Sequence, residues 1–388
     1  MLSPPVPAEK CFGCAACADV CPCGCIEMVE DGEGFPVPSV SPDKCIHCGF
    51  CVQSCPAANT GCGSEASRVL AAWAKDRSVR TSSSSGGVYQ VLARWTLGRG
   101  GMVNGTRFDE NFGLVHVLSD DMADLKSFCG SKYVQSDARS IYFSVRGALE
   151  LGREVLFTSV PCQVDALYRF IGGRPHNLTT CDLVCHGVPS PAYFRKVMQR
   201  DCAGSGRGCI SFRSPEKWGR FGVQIDGRPL GSASDLYMRA FLNGVNFRNT
   251  CYSCPYATRN RVGDLTLGDF WGVGKWRRFG GPVSEGVSLV LANTAKGAEL
   301  LDKVKDELET EERSWREASR VNLQLSRPTV RPECRDGFYA MAENEEPRRV
   351  IAGCGLAGES VWRKAVMLPR RIAGMVVRAL VRLTGMMD

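Results

Sequence analysis

The chain has 388 residues, 44% of them hydrophobic and 23% charged, the make-up of a folded globular protein, which sets aside disorder, collagen-like repeats and coiled coil. This length suffices for one large domain with a small appendage or for two to three domains. A net charge of +7 falls far short of a nucleic-acid binder's, so no nucleic-acid partner is expected.

The N-terminal stretch from Met1 to Pro5 has neither a basic n-region nor an apolar h-region. The 21 cysteines therefore point to metal in a reducing, cytoplasmic compartment rather than to a disulfide scaffold. Residues 1–62 carry an internal repeat: Cys11-Phe12-Gly13-Cys14-Ala15-Ala16-Cys17-Ala18-Asp19-Val20-Cys21-Pro22 against Cys45-Ile46-His47-Cys48-Gly49-Phe50-Cys51-Val52-Gln53-Ser54-Cys55-Pro56. Each copy reads C-x2-C-x2-C-x3-C-P, the bacterial two-cluster ferredoxin run, in which three cysteines grip one cubane and the fourth reaches the other. The spacing assigns Cys11, Cys14, Cys17 and Cys55 to one [4Fe–4S] cluster and Cys45, Cys48, Cys51 and Cys21 to a second. Structural zinc is the alternative, but it uses paired C-x2-C units rather than triplets with a displaced fourth ligand. Cys23, Cys25 and Cys62 exceed the eight ligands and are buried thiols or reserve ligands; no role is assigned to them.

Residues 57–68 are small, polar and without periodicity, a linker or covering loop. Beyond it, strands are expected at Val69–Ala74, Met102–Phe108, Leu114–Leu118, Glu154–Thr158, Leu178–Val184, Gly222–Ile225, Asp264–Leu267 and Val287–Ala292. Helices are expected at Gly87–Leu97, Arg139–Leu151, Gln163–Ile171, Pro191–Asp201, Ser234–Leu242 and Ala295–Glu309. The expected fold is thus an α+β ferredoxin-like two-cluster domain followed by a larger α/β domain over residues 63–340. Residues 341–388 form a basic tail. In it Arg371, Arg378 and Arg382 accompany an apolar face, an amphipathic helix that packs on protein or lies peripherally on an anionic membrane. No run of eighteen uncharged apolar residues exists, so no transmembrane helix is expected.

Reactive or polar residues stand at several expected strand ends, where α/β proteins build sites. They are Thr81–Gly87, Gly130–Ser136, Val160-Pro161-Cys162-Gln163, Cys185-His186-Gly187-Val188-Pro189-Ser190, Cys251-Tyr252-Ser253-Cys254-Pro255 and Gly268-Asp269-Phe270-Trp271-Gly272. In this order they resemble the beta-subunit family of coenzyme F420 hydrogenases and dehydrogenases, over residues 1 to about 340.

The resemblance implies an oxidoreductase whose large domain binds FAD, carries its own [4Fe–4S] cluster and passes a hydride between the flavin and deazaflavin coenzyme F420. On this chain it implies Cys162, Cys185, Cys251 and Cys254 as ligands of a third cubane, with Cys129 and Cys181 as substitutes. Flavin contacts would come from Ser84, Ser85, Gly86 and Gly87 ahead of a helix, from Gly130, Ser131, Lys132, Tyr133, Gln135 and Ser136, and from Gln163. The serine run is not a G-x-G-x-x-G motif, and a serine-rich turn with a helix cap is its alternative. No catalytic residue is assigned; His186 is a candidate for a hydrogen bond to the flavin or for proton relay, beside a structural role. Asp269, Phe270 and Trp271 read first as structural. A redox partner protein or subunit is expected, with F420 or a substitute as the two-electron carrier. A flavin-free wiring subunit and a ferredoxin-fed reductase of an organic substrate are the alternatives.

Overall fold

The computed structural model describes residues 4–61, 63–202, 208–213 and 218–356. Cys62 and the amphipathic helix expected within 361–383 lie outside the described residues. Strands are numbered along the chain. β1 (Ile26–Glu30) and β2 (Pro36–Val40) form an antiparallel hairpin between the two cysteine loops. An eight-stranded mixed sheet follows, in the order β13-β3-β12-β11-β7-β6-β4-β5. Its members are β3 (Arg68–Ala74), β4 (Met102–Phe108), β5 (Leu114–Ser119), β6 (Val155–Ser159), β7 (Leu178–Leu183), β11 (Leu265–Asp269), β12 (Ser288–Ala292) and β13 (Leu308–Glu312). A second sheet holds β8 (Ile210–Arg213), β9 (Phe221–Ile225) and β10 (Arg228–Pro229).

Four central strands, β4, β6, β7 and β11, run parallel, and their flanks are antiparallel. A parallel centre must be covered on both faces, and the apolar residues sort accordingly. Leu156, Leu265, Leu267 and Val290 face the helices Val88–Gly98 and Ala295–Lys303. Val155, Phe157 and Leu178 face the helices Ile141–Glu150 and Pro161–Ile171. The expected helix Ala295–Glu309 stops at Lys303, and Leu308–Glu312 pairs with β3 as an edge strand. Leu308 is the one buried residue of this strand, so its sequence carries no strand period to set it apart from the helix before it.

The second sheet packs on the helices Pro191–Asp201, Ser232–Leu242 and Arg335–Asn344, around Phe194, Phe212, Tyr237 and Phe338. That core continues through Val350 to Leu356. Among the described residues no helix is long and apolar enough to cross a membrane.

Candidate functional site

The two cysteine loops repeat in backbone as well as in sequence. Gly13 and Ala15 take φ of +65° and +63°, and their counterparts His47 and Gly49 take +57° and +77°. Each loop then enters a single helical turn, Ala16–Asp19 or Phe50–Gln53. Ala15 and His47 hold a left-handed conformation that costs a non-glycine residue about 1 kcal/mol, the mark of a loop curled inward around something.

Cys11, Cys14, Cys17 and Cys55 line one small apolar cavity together with Phe12, Met28 and Pro38. Burial, then the neighbouring thiols, pushes Cys14 well up and Cys17 up to about 12. Cys45, Cys51 and Cys21 are half-buried and Cys48 is exposed. Burial and then Cys48 and Cys21 raise the Cys51 thiol. Cys11, Cys14, Cys17 and Cys55 thus share one cavity, and Cys48 and Cys21 lie in electrostatic reach of Cys51.

The first loop is bolted to the large domain through its own peptide carbonyls. Cys11 O accepts from Arg248 (2.8 Å) and Thr250 (3.3 Å), Phe12 O and Gly13 O from Gln135 Nε2 (3.2 and 3.1 Å), and Cys14 O from Tyr142 (2.9 Å). Arg248 also donates to Pro36 O (2.5 Å) and Gln135 Oε1 (3.0 Å). A Cβ on Gly13 would stand 2.3 Å from Gln135 Nε2, so only glycine admits this approach. Glu33 pairs with the buried Arg335 at 2.6 Å, and Ser190 Oγ donates to Gly34 O at 3.0 Å.

At the carboxyl ends of the parallel strands lie the other cysteines. Cys162 opens the helix Pro161–Ile171 after β6, Cys185 follows β7, and Cys251 and Cys254 flank the turn Asn249–Ser253. Burial raises Cys162 well above its ordinary range, and Cys254, Cys185, Cys14 and Cys251 add to the rise. Burial, and then Cys254 among its neighbours, pushes Cys251 up to about 12. The structure therefore brings the four together and sets them beside Cys14 of the first loop. Three braces hold this arrangement. Tyr256 Oη donates to Asp165 on the Cys162 helix at 2.7 Å, and Arg261 pairs with Asp182 of β7 at 2.8 Å, both fully buried. Arg248 N donates to Val188 O at 2.9 Å, joining the Cys185 and Cys251 segments. Cys181 lies buried within β7 and Cys129 beside Lys132 and Gln90; neither is among these neighbours.

A polar cluster gathers where the end of β8 meets the end of β11. Its hub is Arg213, which donates to Asp269 (2.6 and 3.0 Å), Ser84 O (2.9 Å) and Tyr133 Oη (2.7 Å). Trp218 donates to Asp269 at 3.1 Å and stacks on Trp271 with ring centres 4.6 Å apart. Ser131 N donates to Ser84 Oγ at 2.6 Å, uniting the two loops. Ser85 Oγ is buried with no partner, and Gly130, at φ +88°, faces open space. Lys132 Nζ reaches the carbonyls of Phe128 and Cys129, and burial pulls it down to about 8. His186 is exposed, yet surrounding protein pulls its ring down to about 4, with Asp269 and Arg213 in electrostatic reach.

The remaining flavin candidates take other places. Gly86 spends its N–H on Ser288 Oγ and its carbonyl on Ala74 N, and Gly87 caps the helix Val88–Gly98 at φ +85°. Gln135 is turned to the ferredoxin loop. Ser136 and Gln163 join a buried network in which His116 bonds Ser136 Oγ at 3.0 Å and Asn104 at 3.2 Å. Phe270 is fully buried core. Arg213, Arg248, the Arg261–Asp182 pair and the Tyr256–Asp165 bond escaped sequence reasoning, because nothing local marks an arginine or tyrosine whose partners are remote in the chain.

Paired cysteine loops docked on an α/β domain define an iron–sulfur electron-transfer protein. The family model for the 4Fe-4S dicluster domain matches residues 10–59, and that for the C terminus of the coenzyme F420 hydrogenase/dehydrogenase beta subunit matches residues 152–317. The chain thus carries the C-terminal domain of that beta subunit with a dicluster domain on its N-terminal side, and is an iron–sulfur electron-transfer oxidoreductase related to it. Among solved structures, a chain of the F420-reducing [NiFe] hydrogenase complex from Methanosarcina barkeri aligns at 17% identity and a TM-score of 0.46, over 75% of this chain and 92% of that one. No curated protein matches.

Proposed function

We propose that the chain is an iron–sulfur flavoprotein that moves electrons between a two-electron carrier at FAD, deazaflavin coenzyme F420 or a substitute, and a one-electron protein partner, through three [4Fe–4S] clusters. The observation that most supports this reading is the convergence of Cys162, Cys185, Cys251 and Cys254 beside Cys14. Four mutually repelling thiols suit a cationic iron–sulfur core, which takes them as thiolates. In this reading Cys11, Cys14, Cys17 and Cys55 hold the middle cluster, and Cys45, Cys48, Cys51 and Cys21 the outermost.

The dinucleotide is assigned to the polar cluster around Arg213: Ser85 Oγ lacks a partner, Gly130 leaves room, and Lys132 supplies a cation. FAD, when bound, supplies the exchange of a hydride in one step and of single electrons in two. Lys132, Ser84, Ser85 and Ser131 would hold its phosphates, and Tyr133, fixed by Arg213 and Asp269, would wall the ring. His186 stands where it could hold or pass a proton at its imidazole. The test is anaerobic mixing of the purified protein with reduced F420, reduced nicotinamide or reduced ferredoxin. Bleaching of flavin by reduced F420 is the expected result; failure of every donor to bleach it would reject the reading.

Lys132 gives this site a pH dependence. Its ammonium is lost above about 8, so phosphate attraction weakens as pH rises. FAD affinity should fall at least several-fold between pH 7 and 9, and Lys132→Met should bind weakly and without that dependence, as equilibrium dialysis would show.

Electrons would leave at Cys48, exposed between Ile46 and Phe50, which are 64% and 46% exposed. Cys48→Ala should lose about four irons and stop reduction of an external one-electron acceptor while FAD stays bound. Wild-type rates with the acceptor would contradict this exit.

A further inference from the structure

Cys21, Cys23 and Cys25 have Sγ atoms all within 4.8 Å of one another. Cys21 Sγ lies 3.3 Å from Cys25 Sγ and 3.6 Å from Cys23 Sγ. Cys25 is 3% exposed and packs in one apolar cluster with Cys17, Cys21, Cys45 and Cys51. A surplus thiol of this kind is not a surface residue or a distant core filler. It sits inside the ring of sulfurs assigned above to the outermost cluster. Gly24, at φ +59° with open space around its Cβ position, turns the chain so that Cys25 comes back under Cys21.

We infer that Cys25 is an alternate ligand for the outermost [4Fe–4S] cluster, able to take over the corner held by Cys21. The exchange balances without an oxidant or reductant. The iron–sulfur bond to Cys21 breaks and one to Cys25 forms, while the Cys25 thiol proton passes across the short S–S contact to the departing Cys21 thiolate. Such a swap would need the incoming sulfur within a side-chain movement of the outgoing one, and the 3.3 Å contact between Cys21 and Cys25 provides that. The exposed position of this cluster gives the device a use: a corner that opens at Cys21 is refilled before iron is lost.

The inference rests on the assignment of Cys21 as a ligand, and the test separates the two. Iron and acid-labile sulfide are measured on full-length protein purified without oxygen, with low-temperature EPR of the reduced form. Cys21→Ala and Cys25→Ala should each keep the wild-type iron content, the first with an altered EPR signal. The double variant should lose about four irons per chain. Loss of those irons from Cys21→Ala with Cys25 intact overturns the inference and leaves Cys21 a ligand. Wild-type iron in the double variant overturns the inference together with the assignment. Persistence of the middle cluster's EPR signal in each variant shows that the domain has folded.

Discussion

Cys254→Ala should lower iron by about four per chain, one cubane of three, and leave the EPR signals of the N-terminal clusters in place. The reason is geometric. Cys254 ends a turn pinned from three sides, by Tyr256 on Asp165, by Arg261 on Asp182, and by the backbone bond from Arg248 to Val188. Those braces keep the loop folded when the thiol is removed, so the loss reads out the cluster rather than the fold. Electron flow into the N-terminal clusters should stop as well, because Cys162 neighbours Cys14 on one side and Cys185 precedes His186, which is in electrostatic reach of Asp269 and Arg213, on the other. Unchanged iron would return Cys254 to the role of a buried thiol.

Arg248→Met should weaken both stability and the electrical link between domains. The guanidinium is 3% exposed and donates to Cys11 O, Pro36 O and Gln135 Oε1. Removing it leaves those acceptors in a dry interface, each unpaired group costing roughly 1–3 kcal/mol. A fall of about 3 kcal/mol or more in unfolding free energy is expected, measured by denaturant titration. Thr250 still bonds Cys11 O, so the loop is loosened rather than lost. Iron should stay near wild type while transfer into the N-terminal clusters slows at least tenfold, as rapid-mixing spectroscopy would show. Wild-type stability would mean that the carbonyls find water, and wild-type rates that the clamp does not set the spacing between clusters.

Much of this site was legible because ligand spacing is a local code. Two runs of C-x2-C-x2-C-x3-C-P declare their loops whatever lies around them, and the structure curls both in the same way at Gly13, Ala15, His47 and Gly49. Strands β3 and β12 were visible as apolar runs because a sheet covered on both faces needs them so. The edge strand β13 was not, since Leu308–Glu312 carries four charged or polar residues to one buried leucine and follows a true helix without a breaker. β8 was missed for a similar reason, being four residues of a small separate sheet.

The contacts that turn motifs into a site are long-range. Gln135 looked like part of a flavin loop because its neighbours Lys132 and Tyr133 are polar and close in sequence. Its amide instead bonds Phe12 and Gly13, more than a hundred residues away. Arg213 and Asp269 form the hub of the polar cluster across two different sheets. No periodicity carries such a pairing, and it appears only once the sheet order is known.

The measurement that tests the account most directly is iron, acid-labile sulfide and extractable flavin on the same oxygen-free preparation of the full chain. About twelve irons with one FAD per chain, the sum of three cubanes and a flavin, is the predicted result. About eight irons and no flavin would contradict it, leaving the dicluster domain as a wire on a large domain whose polar cluster serves something else.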